Sequence, residues 1–237
     1  MTAPVASAGS PTGSDQFLTM LEVFVDPVSA ARRIDRSAPW LVPILIAGIG
    51  AAVIGYLLMP LTVQVMAMNP PPNIPREQYQ NTLPMIEKGM RIMSFASPLL
   101  VAIKLLILAG ILKLLATLGG LDVVFKKLFS LVANAGMIIF LEGLATFAVI
   151  KAKAADIQTM EEMMPALGLD LLIRGQFSKP IQAALHFFSV FEIWYIVVLV
   201  VGFAALVKCS KSKAFLLTLP VWLVPILFMM VAAMFRS

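Results

Sequence analysis

From Ser37 to Pro75 the chain carries no charged residue, and its apolar positions run on without the alternation or spaced stripe of a soluble strand or helix. A helix over about 41–68 exceeds the roughly 20 residues that a bilayer crossing requires. Pro60 is expected to bend its outer end, and Pro70, Pro71 and Pro72 end it. Four more apolar blocks follow the same logic: about 93–118, stopping at Gly119-Gly120; about 129–150; about 183–207, after Pro180; and about 214–235, containing Pro220 and Pro225. The stretch up to Met90 and residues 151–180 read as polar connections. The pattern predicts an all-α fold, a polytopic membrane bundle with five transmembrane spans over residues 39–237.

The first residues follow a different pattern. Residues 1–14 are rich in Pro, Gly, Ser, Thr and Ala and read as a disordered tail. Residues 15–38 read as cytosolic interfacial helices. Phe17, Leu18, Leu21, Phe24 and Val25 share one helix face, the arrangement of an amphipathic helix lying in the membrane interface. Asp26-Pro27 restarts the chain, since Asp caps a helix start and Pro is pre-set for its first position. The helix that follows, with Arg32, Arg33 and Arg36, is expected to run along the membrane surface. No basic segment followed by an apolar core precedes it, so the first span is expected to act as its own insertion signal.

Composition sharpens this picture by exclusion. With 60% hydrophobic and 13% charged residues and a mean hydropathy of +0.93, the chain cannot be an ordinary soluble domain. The net charge of +5 sits beside apolar blocks, which points to anionic lipid headgroups and away from nucleic acid. A single cysteine, Cys209, leaves no disulfide framework and no cysteine-based metal site. A glycine-rich phosphate loop, a zinc-protease motif and a nucleophile elbow are all missing, and there is one histidine. The expectation is therefore a protein that is not an enzyme and uses no cofactor or metal. The 15 methionines follow no repeating spacing and read as apolar filling, although thioethers are also soft copper ligands.

The chemistry that remains is a set of ionisable residues inside the spans. A charge at the bilayer centre costs at least about 2.5–3.5 kcal/mol, so it seeks a partner or water. Lys113 lies close enough to the inner surface to snorkel there. Lys104, Glu142 and Glu192 fall at similar depths, roughly 9–18 Å below the outer surface at 1.5 Å per residue, with His186 above them. On this count Glu192 lies well inside the fourth span. Lys104 is expected to pair with Glu142, Glu192 or both, either as an ion pair that fixes helix register or as a polar site linked to a proton or solute. Small residues mark the expected helix-packing faces: Gly48, Ala52 and Gly55 on the first span, Gly136 and Gly143 on the third.

Several short patterns carry a resemblance. They are Phe24-x-Asp26-Pro27 with Ile34 and Trp40-x-x-Pro43; Gly119-Gly120 before Phe125-Lys126-Lys127; and Phe191-x-x-Trp194 with Leu199, Gly202 and Lys213-Ala214. In order and spacing they resemble the Yip family, the Rab-GTPase-interacting membrane proteins and their bacterial relatives. The third span departs from the family pattern, lacking a Tyr and a Pro near Asn134–Ile139, and Ala30-Ala31 stands where a larger apolar residue is usual. The resemblance implies a five-span, N-cytosolic membrane protein without enzymatic activity. It implies binding to other membrane proteins in vesicle traffic for eukaryotic members, and accessory roles in ABC-type export for some bacterial ones. The short segment before the first span is more similar to a bacterial-type member. The implied partners are the lipid bilayer and other membrane proteins, an ABC transporter among them, or a second copy of the chain.

Two functions follow from these readings. One is a non-catalytic interaction or accessory subunit. The alternative is a small ion- or proton-coupled permease using the intramembrane Lys/Glu site. Secondary transporters usually show internal repeats, and the doubled WLVPIL at 40–45 and 222–227 is too short to count as one.

Orientation follows from the short basic connections. Arg32, Arg33 and Arg36, then Lys126 and Lys127, then Lys208, Lys211 and Lys213 all fall on the N-terminal side of the membrane, whereas the opposite connections dilute their basic residues among acids. The expected placement is the cell (inner) membrane, with a cytoplasmic N-terminus and the C-terminus on the outer side. Reporter fusions at the two ends should be active in opposite compartments; activity of both in the same one would remove or add a span.

Overall fold

A computed structural model describes residues 12–165, 167–169, 173 and 177–234, so the predicted tail lies outside the described residues up to position 11, as does Phe235. The helices are α1 (Gly13–Val25), α2 (Pro27–Ser37), α3 (Leu41–Met68), α4 (Arg76–Leu118), α5 (Phe125–Ala152), α6 (Lys179–Phe187), α7 (Val190–Val207) and α8 (Lys211–Met234). Five of them, α3, α4, α5, α7 and α8, are long and apolar enough to cross a membrane, and no strand occurs among the described residues. This is the all-α polytopic bundle that the apolar runs predict.

Helix α5 is the axis of the bundle. Its span is 56% buried against 17% for α3 and for α8, because neighbours surround it on most sides. Leu128, Leu131, Val132 and Ile138 of α5 join Leu112 of α4 and Leu199 and Phe203 of α7 in one apolar core. A smaller cluster at the other end joins Val65, Ile150 and Ile157, with Met163 packed against it as ordinary apolar filling. There Glu162 accepts from the backbone N–H groups of Gln158 and Thr159, which holds its carboxyl below the usual range.

Several boundaries differ from expectation. Gly13 and Ser14, assigned to the tail, already belong to α1, whose start is capped by Thr12 accepting from the Asp15 N–H at 3.3 Å. The stretch before Met90 is no connection. It continues α4 for several turns, with Glu87 and Arg91 paired one turn apart at 2.9 Å. Pro60 lies inside α3, which stays helical through it. The fourth span breaks at Phe188-Ser189: α6 stops, Leu169 N–H bonds to the Phe188 carbonyl, and α7 starts afresh.

The two helices before the first span also sit deeper than a surface-lying pair would. Val23 of α1 and Ala30, Ala31 and Ile34 of α2 are fully buried in the main core, while Phe17, Leu18, Leu21 and Val25 remain on the outer face of α1. The reason is size. Ala30-Ala31 lets α2 lie close to α7, where Gly202 faces the Pro27 carbonyl. Ring contact between Phe24 and Trp194 at 5.6 Å adds a second tie to α7. Asp26 caps α2 as its sequence predicts, accepting from the Ser29 N–H at 3.0 Å; the Ser29 side chain first, and then this N–H, lower its carboxyl pKa. A lowered pKa leaves the cap intact above the ordinary Asp range; it is lost as pH falls through the lowered value.

Buried side chains complete the backbone where α2 hands over to α3. Gln16 of α1 accepts from the N–H groups of Leu41 and Val42 at 3.1 and 3.0 Å. Pro43 has no N–H, and Ile44 reaches the Trp40 carbonyl, so the first turn of α3 has its donors answered. On the other side, Ser130 and Asn134 of α5, both fully buried, donate to the Pro39 carbonyl, Asn134 at 2.8 Å.

Glycines set two distances. A Cβ at Gly48 would lie 2.7 Å from Pro98 Cα and one at Gly55 2.9 Å from Ser94 Oγ, so the predicted face on α3 does bring α4 close. Gly136 has Leu105 at 3.4 Å. Gly143 is different: nothing lies within 4 Å of a Cβ built there, so it is not the helix-packing position expected of it. Gly48→Leu should therefore cost on the order of 1–3 kcal/mol and Gln16→Ala about 1 kcal/mol, while Gly143→Ala stays close to wild type. Thermal unfolding in detergent, followed by circular dichroism, measures all three; equal losses at Gly48 and Gly143 would contradict the packing described.

Candidate functional site

The two carboxylates and the lysine singled out inside the spans reach one region from three helices. Lys104 of α4 and Glu192 of α7 line a cavity of about 710 Å³ bounded by α3, α4, α5, α7 and α8, with Phe187 of α6 at its edge. Glu192 feels the charges of both Glu142 on α5 and Lys104, repelled by the first and attracted by the second. The predicted ion pair does not form among the described residues. Among the described residues the ion pairs are Arg33–Glu22, Arg91–Glu87, Lys113–Asp122 and Lys127–Asp35, and none includes Lys104, Glu142 or Glu192. His186 lies in the last turn of α6 and Glu142 half-buried on α5, both off the cavity lining.

Local structure explains why Glu192 stands where it does. The break at Phe188-Ser189 places it in the first turn of α7 and not deep inside a span. Ser189 Oγ accepts from the Glu192 N–H at 2.9 Å, the Ser-x-x-Glu arrangement of a helix start, and the carboxylate sits at the positive end of the helix dipole. Lys113 behaves as expected of a residue near the inner surface, turning to Asp122 at 3.2 Å.

Beyond Lys104, Glu192 and the polar tips of Tyr195 and Trp222, the cavity wall is apolar, with Ile107, Leu108 and Ile111 of α4, Ile139 and Phe140 of α5, and Val221 of α8. Gly136 and Gly143 face it from α5 and Tyr195 lies one turn below Glu192. A chamber of this kind can hold an apolar body with one cationic and one anionic contact. Among the described residues no group of His, Cys, Asp and Glu is placed to hold a metal.

A family model described as the Yip1 domain matches residues 21–233. The chain belongs to the Yip1 domain family. No curated protein and no solved structure matches it. The Yip1 domain here includes α1 from Leu21 onward, so the helices ahead of the first span belong to the family unit and are no appendage.

Sequence reasoning missed Gln16, Ser130 and Asn134, which join the helices ahead of the first span to the spans. Asn134 carried a signal, being a polar amide inside an apolar run. Ser189-x-x-Glu192 carried one too, as a helix-start pattern inside what read as one continuous span. Gln16 carried none, since its role depends on where α3 begins.

With no contact pair closed, Glu142 acts on Glu192 only through repulsion. Glu142→Gln and Lys104→Met each remove an unpaired charge and should leave thermal stability unchanged or raise it, by on the order of 1 kcal/mol. A clear loss on Glu142→Gln, reversed by adding Lys104→Met, would show that these two residues are partners after all.

Proposed function

We propose that this Yip1-domain membrane protein, of the bacterial type, acts without catalysis as an interaction or accessory subunit for other membrane proteins, foremost an ABC-type export system in the cell (inner) membrane. The observation that carries this reading is the length and surface of α4. Its 43 residues measure about 64 Å, roughly twice the 30 Å of a bilayer core. Its turns before about residue 93 run on beyond the predicted span and expose Met85 and Ile92 around Glu87, Lys88 and Arg91. Apolar residues ringed by charges, projecting beyond a membrane, suit contact with a second protein. The bacterial-type assignment rests on the resemblance alone.

The permease reading keeps one supporting observation, the cavity that reaches Lys104 and Glu192. Its apolar wall supports a binding chamber better than an ion path, because conduction needs polar groups along the whole route.

The test is purification of the tagged protein from its native membrane in mild detergent, with quantitative mass spectrometry. A transporter or ATPase should copurify in fixed ratio, and Met85→Glu with Ile92→Glu should reduce its yield about tenfold without changing that of the tagged chain. Recovery of the chain alone in both cases would sink the accessory reading. Proton or solute flux that is lost in Glu192→Gln would then favour the permease.

A further inference from the structure

We propose that the cavity holding Lys104 and Glu192 is a binding site for one bilayer phospholipid with a zwitterionic aminophosphate headgroup, its phosphate on Lys104 and its ammonium on Glu192. The volume of about 710 Å³ lies within the roughly 300–1,000 Å³ of small-molecule sites. That is room for a headgroup and part of an acyl chain.

The lining has the polarity of an amphiphile. Lys104, Glu192 and Tyr195 form one end. From there Ile107, Leu108 and Ile111 continue along α4, and seven residues from Lys104 to Ile111 give about 10 Å of apolar wall. An ion or a small polar solute would leave that wall unused, whereas an acyl chain fills it.

The charges specify the headgroup. Neither the Lys104 ammonium nor the Glu192 carboxylate has a hydrogen bond or ion pair with the described residues, though each feels the other. Unpaired charges between apolar walls are costly, and a ligand with a complementary charge for each relieves both. A purely anionic headgroup would satisfy Lys104 and be repelled by Glu192. Glu142, the further charge that acts on Glu192, adds to that repulsion and favours an ammonium at this end.

The α5 glycines fit the same account. Gly143 faces the chamber with open space around it, and this space makes sense if something other than protein occupies it. The site is independent of the accessory role, since it opens between the spans and not on the projecting face of α4.

Native mass spectrometry of the full chain in a non-ionic detergent, titrated separately with dioleoyl phosphatidylethanolamine and dioleoyl phosphatidylglycerol, tests the proposal. The wild type should hold one phosphatidylethanolamine about tenfold more tightly than phosphatidylglycerol, the effect of one charged hydrogen bond gained. Glu192→Gln should remove the preference, and Lys104→Met should weaken both lipids about tenfold. Gly143→Leu fills the chamber without touching either charge and should abolish the one-to-one adduct while leaving the helical circular dichroism intact. Should either charge variant fail to fold, Gly143→Leu and the lipid preference of the wild type decide the matter. Equal retention of both lipids by the wild type, tighter retention of phosphatidylglycerol, or an adduct that survives Gly143→Leu would each overturn the site.

Discussion

Two helix ends meet at Ala38–Trp40, and both leave backbone groups that apolar neighbours cannot satisfy. α2 closes through the left-handed Ala38, leaving the Pro39 carbonyl outside any helix, and α3 begins with donors at Leu41 and Val42. Away from water an unmade hydrogen bond of this kind costs about 1–3 kcal/mol, so the groups must be met from elsewhere in the chain. Gln16 meets the donors; Ser130 and Asn134 meet the carbonyl. One short turn is thereby tied to α1 on one side and to the middle of the bundle on the other. The docking of α1 and α2, and through it the packing of α7 against Ala30-Ala31, depends on these bonds. The surface pairs Arg33–Glu22 and Lys127–Asp35 lie nearby, but partly exposed pairs typically contribute only about 0–1 kcal/mol and cannot substitute for them.

A bundle held this way can be tight in one place and open in another. Gly48 and Gly55 bring α4 against α3, and Gly202 brings Leu131 of α5 against α7. The same residue type on the next part of α5, Gly143, borders open volume. A missing side chain allows close approach only where a neighbouring helix occupies the space; otherwise it leaves room. The cavity is therefore a consequence of how α4, α7 and α8 splay around α5, and its two charges are held apart by the same splay. That separation turns what would have been a structural ion pair into a pair of contacts available to a third molecule.

The match to the Yip1 domain begins at residue 21, so it takes in the end of α1 and all of α2. It does not by itself account for the length of α4 or for a chamber with a cation and an anion in its lining. Those two features belong to this chain's own sequence: a helix that outruns the bilayer, and a cleft between spans that holds a lysine and a glutamate.

What the sequence determined by itself is whatever a single segment must satisfy alone. A run of apolar residues long enough to span a bilayer must be helical, because no water is present to satisfy its backbone. The five spans, the Asp26 cap and the close approach at Gly48 were accordingly legible. The tertiary structure alone decided the rest, because it depends on segments far apart in the chain. The fourth apolar block breaks at Ser189, where the chain near Leu169 takes up the freed carbonyl. Whether Lys104 touches a carboxylate is a matter of a few ångströms between α4 and α7. Hydropathy cannot resolve such a distance, and helix packing sets it.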